Sequence, residues 1–460
     1  MHLWRGNSFT DIHGAPDWFL SNLRRHLSVL VSGDTKAGGR FGSVFMHEGE
    51  FYGSLVNGNR VTSGLTWHVE QLAKYYRDQG YHLPCETFDR RKRPTDQLPL
   101  FSVQAKWRPY QDTIHKIILR DGIGVVDAPP RSGKTLMAAR AIDVLAVPTL
   151  YIAPTVAIVS QTYKVLSSYF GEELVSRLDG AAHPTQKDTS KMIVVATAPS
   201  AVRQPKEFFD TRDMLIIDEF HHSAAETYHR INSLAENVFY RLCFTGTHWR
   251  TGTDRLAMEA ICSQVLYRLE VEDLIPDYLV EPFIYYMPFR DKPVAGRDWK
   301  EAYHNGIVDC EARNLLIRSV AMQMIDNNVP TIVLVNRRSH ADFLGEIIPD
   351  SRVAKGGEGI LTSNTIKKFL GKEFFCLIGT SVIGEGVDLP HAAALIYGGG
   401  MGDSVHLMQS YFRPFTAYPE KQWGRVYDFH DLHHPTLHRH SVDRISIARR
   451  FLGKYVYTPE

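Results

Sequence analysis

Short apolar runs recur along this chain, and each ends on a polar or glycine-bearing cluster. The runs at 149–153, 192–197, 214–217 and 241–244 form one series, and those at 331–335, 374–378 and 392–397 form a second. They are apolar throughout rather than alternating, which predicts strands covered on both faces. Between them lie segments with helical spacing. Strands alternating with helices predict parallel sheets wrapped by helices. In such sheets ligands bind outside the C-terminal ends of the strands, and the polar clusters fall there. The fold class expected is α/β, with two tandem lobes of this kind and a small α+β module ahead of them.

The module has a different pattern. Residues 42–46 and 50–56 read as strands, and Asn57-Gly58-Asn59 between apolar segments is a tight-turn signal. Thr62 or Ser63 is placed to cap a helix that carries Leu65, Val69, Leu72, Ala73 and Tyr76 on one face and ends near Gly80. The polar run Asp89-Arg90-Arg91-Lys92-Arg93-Pro94 follows and reads as a solvated linker. The expected division is a module over 1–100, a first lobe over 101–285 and a second over 286–460.

Chemistry enters at Val125-Val126-Asp127-Ala128-Pro129-Pro130-Arg131-Ser132-Gly133-Lys134-Thr135. An apolar run, a Pro/Gly turn and Gly-Lys-Thr opening a helix make a phosphate-binding loop. The helix N-terminus offers unpaired N–H groups and the positive end of a dipole to an anionic triphosphate. Ser132 and Gly133 line the approach, Lys134 neutralises β/γ charge, and the Thr135 hydroxyl is a ligand for Mg²⁺. Ala128 stands where the usual pattern has its first glycine. Further on, the run at 214–217 leads into Asp218-Glu219-Phe220-His221. There Asp218 is suited to hold Mg²⁺ through water, and Glu219 to polarise an attacking water. Ahead of the loop, the Gln111 carboxamide offers one donor and one acceptor to an adenine edge. ATP and Mg²⁺ are the cofactors expected.

Composition narrows the classes. The chain has 460 residues, 44% hydrophobic and 22% charged, with a formal net charge of +1. That is ordinary globular composition with no global basic signal, so nucleic acid must be met by local patches. The basic run Arg90, Arg91, Lys92 and Arg93 is one candidate phosphate contact. Five scattered cysteines with no CxxC pair suggest neither a disulfide framework nor a zinc ribbon, and fit a reducing compartment. No signal-peptide pattern and no membrane-length apolar run is seen. His430, His433, His434, His438 and His440 cluster without a cysteine, and read as a solvated or DNA-facing helical tail rather than a zinc site.

Taken in order, these blocks resemble the superfamily 2 helicases from Trp107 to about Arg450. Trp107 to Gln111, with Arg108, is similar to the adenine-reading segment. Ala128 to Thr135 resembles motif I, with Arg131 in place of a usual glycine. Pro154-Thr155 and Ala196-Thr197 look like the nucleic-acid-contacting motifs Ia and Ib, and Asp218 to His221 is a DExH form of motif II. Thr245-Gly246-Thr247 resembles motif III, Gly384-Glu385-Gly386-Val387-Asp388 motif V, and Gln409-Ser410-Tyr411-Phe412-Arg413 motif VI. Within the superfamily the likeness is to the UvsW-type branched-DNA helicases of phages and their XPB/Rad25 relatives. It rests on the Arg-Pro-Tyr-Gln start, the run Arg203 to Phe209 and the leading module.

The resemblance implies two RecA-like lobes with ATP between them. Lys134, Thr135, Asp218 and Glu219 would come from the first, and Gly386, Asp388, Gln409 and Arg413 from the second. Thr155, Thr197, Arg337 and Thr380 would contact phosphates, and the module would recognise double-stranded DNA. The implied activity is ATP-dependent unwinding or branch migration of forks, junctions, D-loops and R-loops in recombination, repair or fork rescue. Its partners would be double-stranded or branched DNA, with single-stranded DNA or RNA of R-loops, and no membrane. The setting would be cytoplasmic, in a bacterial host if phage-encoded. One departure stands out: Thr416 occupies the position of the family's second motif VI arginine. An RNA helicase and a DNA-binding protein with a decayed ATPase stay open as alternatives.

Overall fold

The computed structural model describes residues 1–30, 43–47, 50–94, 107–219, 226–246, 253–293, 298–355, 360–380, 389–400 and 404–458. It divides into two compact units, one of Met1–Ala128 with Gly133–Leu269, the other of Pro129–Ser132 with Glu270–Glu460.

The first unit begins with the module. Strands β1 (His2–Arg5) and β2 (Phe9–His13) pair antiparallel, and the later strands β6 (Arg60–Thr62) and β7 (Glu86–Asp89) complete a four-stranded sheet in the order β6-β2-β1-β7. Strands β3 (Ser28–Leu30), β4 (Ser43–His47) and β5 (Glu50–Ser54) form a second, three-stranded sheet in the order β3-β5-β4. The expected turn is present: Asn57 and Arg60 exchange backbone hydrogen bonds of 2.9 Å each way, with Gly58 at φ +59°. The expected helix runs over Thr66–Asp78, after a single 3₁₀ turn at Ser63–Leu65. Neither Thr62 nor Ser63 caps it, because the Ser63 hydroxyl is spent on the Gly6 carbonyl at 2.7 Å. Helices Asp17–His26 and Thr66–Asp78 bury Phe19, Leu23, Val69 and Ala73 against Leu3, Ile12 and Val61.

This core does not close on itself. Ala260, on helix Thr253–Cys262 of lobe one, belongs to it, and the Asn7 and Ser8 turn receives the fully buried Arg241. The basic run after β7 is therefore no solvated linker. Arg91 pairs with Asp89 at 2.7 Å and donates to the Asp121 carbonyl at 2.7 Å, while Arg93 donates to the Leu119 carbonyl at 3.1 Å. Both guanidinium groups lie over the Phe239 ring. The last carbonyls of helix Pro109–Asp121 lack partners within the helix, and these guanidinium groups supply them. Residues 95–106 of the expected linker lie outside the described residues.

Lobe one is a wholly parallel seven-stranded sheet in the order β10-β11-β9-β12-β13-β8-β14. Its strands are β8 (Ile123–Asp127), β9 (Thr149–Ala153), β10 (Val175–Leu178), β11 (Ile193–Thr197), β12 (Met214–Ile217), β13 (Tyr240–Thr245) and β14 (Val265–Arg268). Every residue of β8, β9, β11, β12 and β13 is buried, as unbroken apolar runs between two helical layers require. Cys243 on β13 and Cys262 lie side by side, with a Cα–Cα separation of 6.2 Å.

The second unit holds another parallel seven-stranded sheet in the order β17-β18-β16-β19-β20-β15-β21. The strands are β15 (Glu281–Phe289), β16 (Thr331–Leu334), β17 (Ser351–Ala354), β18 (Cys376–Gly379), β19 (Ala394–Tyr397), β20 (Trp423–Asp431) and β21 (Val456–Tyr457). The lobe division expected at 285/286 falls inside β15, whose residues all pair with β20. Helix Pro435–Leu452 is not a solvated tail: Leu437, Ser441, Arg444, Ile445, Ala448 and Leu452 are buried along it. Arg444 grips Asp428 with Nε–Oδ2 at 2.8 Å and Nη2–Oδ1 at 3.1 Å, and donates to the Gly400 carbonyl at 2.8 Å. Tyr411 also donates to Asp428, and Arg313 pairs with Asp431 at 2.9 Å. His433 meets the Gly306 carbonyl at 2.9 Å, and His434 caps the helix. Among the described residues, no three His, Cys, Asp or Glu side chains are grouped to hold a metal ion, and no helix is long and apolar enough to cross a membrane.

Removing one partner of a buried ion pair strands the other charge away from water, at a cost of about 3–5 kcal/mol. Arg444→Ala is expected to lower stability by that much in urea denaturation. Arg444→Met combined with Asp428→Leu should recover most of it, since an apolar pair strands no charge. A loss in the single variant below about 1 kcal/mol would mean the network does not hold the helix.

Candidate active site

The phosphate loop lies between β8 and helix Lys134–Leu145. The Ala128 N–H bonds the Thr245 carbonyl at 2.9 Å, fixing the start of the loop to the neighbouring strand end. Gly133 sits at φ +83°, where a side chain would be strained and would also crowd Gln111 Nε2 at 3.1 Å. Arg131 has φ +69°. It holds the left-handed backbone that a glycine adopts freely, at a strain of about 1–2 kcal/mol.

The first turn of helix Lys134–Leu145 and the end of β12 deliver the charged groups. Lys134 Nζ lies 3.6 Å from Glu219 Oε1, with side chains only 10% and 13% exposed. Gly246 follows β13, and a Cβ there would stand 2.7 Å from Lys134 Nζ, so the lysine passes where only glycine leaves room. Asp218 is fully enclosed: Oδ1 accepts the Glu219 N–H at 2.9 Å and Oδ2 accepts the Tyr151 hydroxyl at 2.7 Å. Burial and then the Glu219 charge push the Asp218 carboxyl up to about 6, with Lys134 and the hydrogen bonds opposing less strongly. Burial and the same carboxylate push the nearby Tyr228 hydroxyl up to about 12. Glu219 holds φ +46°, a left-handed backbone at a non-glycine residue, the kind of strain that gathers at functional sites.

Two carboxylates and an ammonium meet in one desolvated site. Its oxygen donors, the Asp218 carboxylate and the Thr135 hydroxyl on the first helical turn, suit a hard divalent cation. Beside the loop, Gln111 is buried. Its Oε1 accepts the Arg108 N–H at 2.9 Å, while its Nε2 has no hydrogen-bond partner among the described residues. A buried amide donor left unmet is costly, and a nucleobase acceptor would satisfy it. Arg108 Nη1 donates to the Tyr110 hydroxyl at 2.6 Å. Ser132 is buried within the loop.

The remaining residues named from sequence stand as follows. Thr155 is exposed and caps helix Val156–Phe170, accepting from the Ile158 N–H at 3.3 Å. Thr197, at the end of β11, is buried and donates to Ser200 Oγ at 3.0 Å. In the second unit, Arg337 is exposed after β16 and Thr380 is buried after β18. Gln409 is half-buried on helix Ser404–Tyr411, and Arg413 is buried in the turn that follows. Thr416 bridges Leu279 through its backbone. Arg444 is committed to Asp428, so it does not substitute for the missing arginine. Arg90 lies 3.7 Å over the Trp4 ring and Lys92 is exposed. Gly386 and Asp388, with Phe220, His221 and Thr247, lie outside the described residues. Tyr151 escaped the sequence analysis; its only signal was a hydroxyl-bearing residue in an otherwise aliphatic buried strand.

Comparison with known proteins agrees with this layout. Residues 104–250 match the family described as type III restriction enzyme, res subunit. The chain is 23% identical over 412 residues to a DNA 3'-5' translocase, XPB2, of Sulfurisphaera tokodaii, covering 78% of this chain and 91% of that one. It is 20% identical over 355 residues to the ATP-dependent DNA helicase uvsW of Enterobacteria phage T4, covering 70% of each. In fold it is similar to a fragment of a putative HsdR subunit of a type I restriction enzyme from Vibrio vulnificus. The TM-score is 0.58 at 17% identity, over 78% of this chain and 69% of that fragment. In strand order, in its motif-bearing strand ends and in these relationships the chain is similar to superfamily 2 helicases, resembling the XPB2 and uvsW proteins at low identity but over most of its length.

Proposed function

We propose that this protein is an ATP-dependent DNA helicase or translocase of the XPB/UvsW type that unwinds or branch-migrates forks, junctions, D-loops and R-loops. The observation that carries the ATPase is the meeting of Lys134, Asp218 and Glu219 at the strand ends beside the phosphate loop. The DNA substrate follows from the relatives, which are a DNA translocase and a DNA helicase by name. Double-stranded DNA recognition is assigned to residues 1–100, ATP binding to the first lobe, and coupling to the second, in a cytoplasmic setting.

In this reading Lys134 and the helix N-terminus neutralise the β/γ-phosphates, and Gln111 with Arg108 holds the adenine. Asp218 and Thr135 would hold Mg²⁺, which would supply charge neutralisation on the phosphates. Glu219 orients the attacking water and accepts its proton. Arg413, with Gln409, stabilises charge that develops on the γ-phosphate, and Gly386 and Asp388 contribute from motif V. Thr155, Thr197, Arg337 and Thr380 hold the DNA backbone, which gives affinity without sequence preference.

Lys134→Ala should bring ATP turnover to background while duplex binding survives. Glu219→Gln should bind ATP with near-normal affinity and hydrolyse it at least 10²-fold more slowly, a loss of the size expected for a general base. Full turnover in either variant would remove the site.

Arg413→Ala is expected to lower turnover by about 10³-fold with little change in nucleotide affinity, because an arginine on the transferring phosphoryl group acts in the transition state. Thr416→Arg tests whether the absent second arginine limits the rate. Steady-state hydrolysis with saturating forked DNA reads both, and wild-type turnover in Arg413→Ala would exclude that residue.

Arg91 and Arg93 hold the module to lobe one, so the DNA contribution of the basic run must be tested at Arg90 and Lys92. Changing those two to Ala should weaken fork and linear duplex binding alike and reduce the salt slope by about 2. Fluorescence anisotropy at stepped salt measures it, and an unchanged slope would take these residues off the phosphates. Stronger stimulation of ATP turnover by RNA than by forked DNA would replace the branched-DNA assignment.

A further inference from the structure

Tyr151 lies mid-strand in β9, paired in register with Val195 of β11 and Ile216 of β12, and none of it is exposed. The strand around it reads Thr-Leu-Tyr-Ile-Ala. An aliphatic residue would fill the layer, and a phenolic hydroxyl buried there is unfavourable unless it is hydrogen-bonded. It donates to Asp218 Oδ2 at 2.7 Å, and Thr162, itself only 1% exposed, stands beside the same hydroxyl. Thr162 belongs to helix Val156–Phe170, whose N-cap is Thr155, a candidate phosphate contact.

The other Asp218 oxygen takes the Glu219 N–H. With one fixed donor on each oxygen the carboxylate cannot rotate, and its remaining lone pairs keep a set direction. Partners of this kind orient metal-binding carboxylates, and their loss commonly weakens metal binding or activity by about 10–100-fold. The relay also crosses elements: it joins the helix capped by Thr155 to the acid at the end of β12.

We propose that Tyr151 is a positioning residue for ATP hydrolysis: its hydroxyl sets the Asp218 carboxylate to receive the hydrated magnesium of the nucleotide, and, lying beside Thr162, it links that acid to the helix capped by Thr155. The inference rests on the ATPase assignment above. Its consequence is that the magnesium requirement and the stimulation of turnover by DNA share one hydroxyl relay.

The test uses the full chain as wild type, Tyr151→Phe and Thr162→Val. Binding of a non-hydrolysable ATP analogue is titrated by calorimetry at stepped Mg²⁺ and in EDTA, and ATP turnover is measured with and without forked DNA. Tyr151→Phe should need about 10-fold more Mg²⁺ for half-maximal binding, with EDTA affinity unchanged. Thr162→Val should shift the requirement less, in the same direction. Both should lower the fold-stimulation by DNA. A purely structural role would weaken binding in EDTA and in Mg²⁺ together, and that result overturns the proposal. Wild-type Mg²⁺ dependence in Tyr151→Phe also overturns it, and unchanged DNA stimulation overturns the coupling. If Tyr151→Phe melts below the assay temperature, Thr162→Val decides by the same criteria. A wild-type protein that neither binds the analogue nor hydrolyses ATP overturns the ATPase assignment itself.

Discussion

A carboxylate that has lost its water dominates lobe one. Asp218 sits at the end of a fully buried strand with Glu219 beside it, and the Lys134 ammonium lies 3.6 Å from Glu219. Its carboxyl is held well above the ordinary range because the protein alone does not stabilise the charged form. Much of the surrounding architecture follows from tolerating that charge. Tyr151 and the Glu219 N–H take one oxygen each, and Gly246 leaves room for the lysine. Glu219 and Arg131 keep left-handed backbones that more relaxed turns would avoid. A site of this kind is completed by what it binds.

The second unit handles buried charge in the opposite way. Asp428 and Asp431 are as deeply enclosed as Asp218, yet Arg444 and Arg313 meet them with directed hydrogen bonds and Tyr411 adds another. No deficit is left for a ligand, so this network fixes structure. It pins helix Pro435–Leu452 across the sheet and draws the backbone after β19 inward through the Gly398 and Gly400 carbonyls. The contrast separates a charged cluster that binds something from one that holds a fold: the difference lies in whether each oxygen and guanidinium is already met.

The module is bound to lobe one by arginines that have few acids. Arg241 is buried, and its two terminal nitrogens donate to Ser8 Oγ and to the Asn7 and Ala235 oxygens. Burial first, then Arg91 and Arg5, push it down to about 9. Carbonyls at a turn and at a helix end act as its counter-charge. Such a joint aligns the module with the lobe carrying the hydrolytic site, and it leaves Arg90 and Lys92 facing solvent.

The sequence by itself determined the sheet class, most lobe strands and the phosphate loop. Unbroken apolar runs, a Gly-Lys-Thr at a helix start and an acid pair at a strand end are local signals, written within a few residues. It also carried the tight turn at Gly58, since a left-handed backbone there needs a permissive residue. What it did not carry are facts about neighbours far along the chain. The basic run after β7 became a clamp only because a helix C-terminus and Phe239 lie beside it. The histidine-bearing tail became a core helix because Asp428 waits for Arg444. Cys243 met Cys262 across a strand and a helix, β15 joined the sheet of the second unit through β20, and Tyr151 reached Asp218 across adjacent strands. Each depends on strand order and register, which long-range packing decides and which spacing along a single chain does not encode.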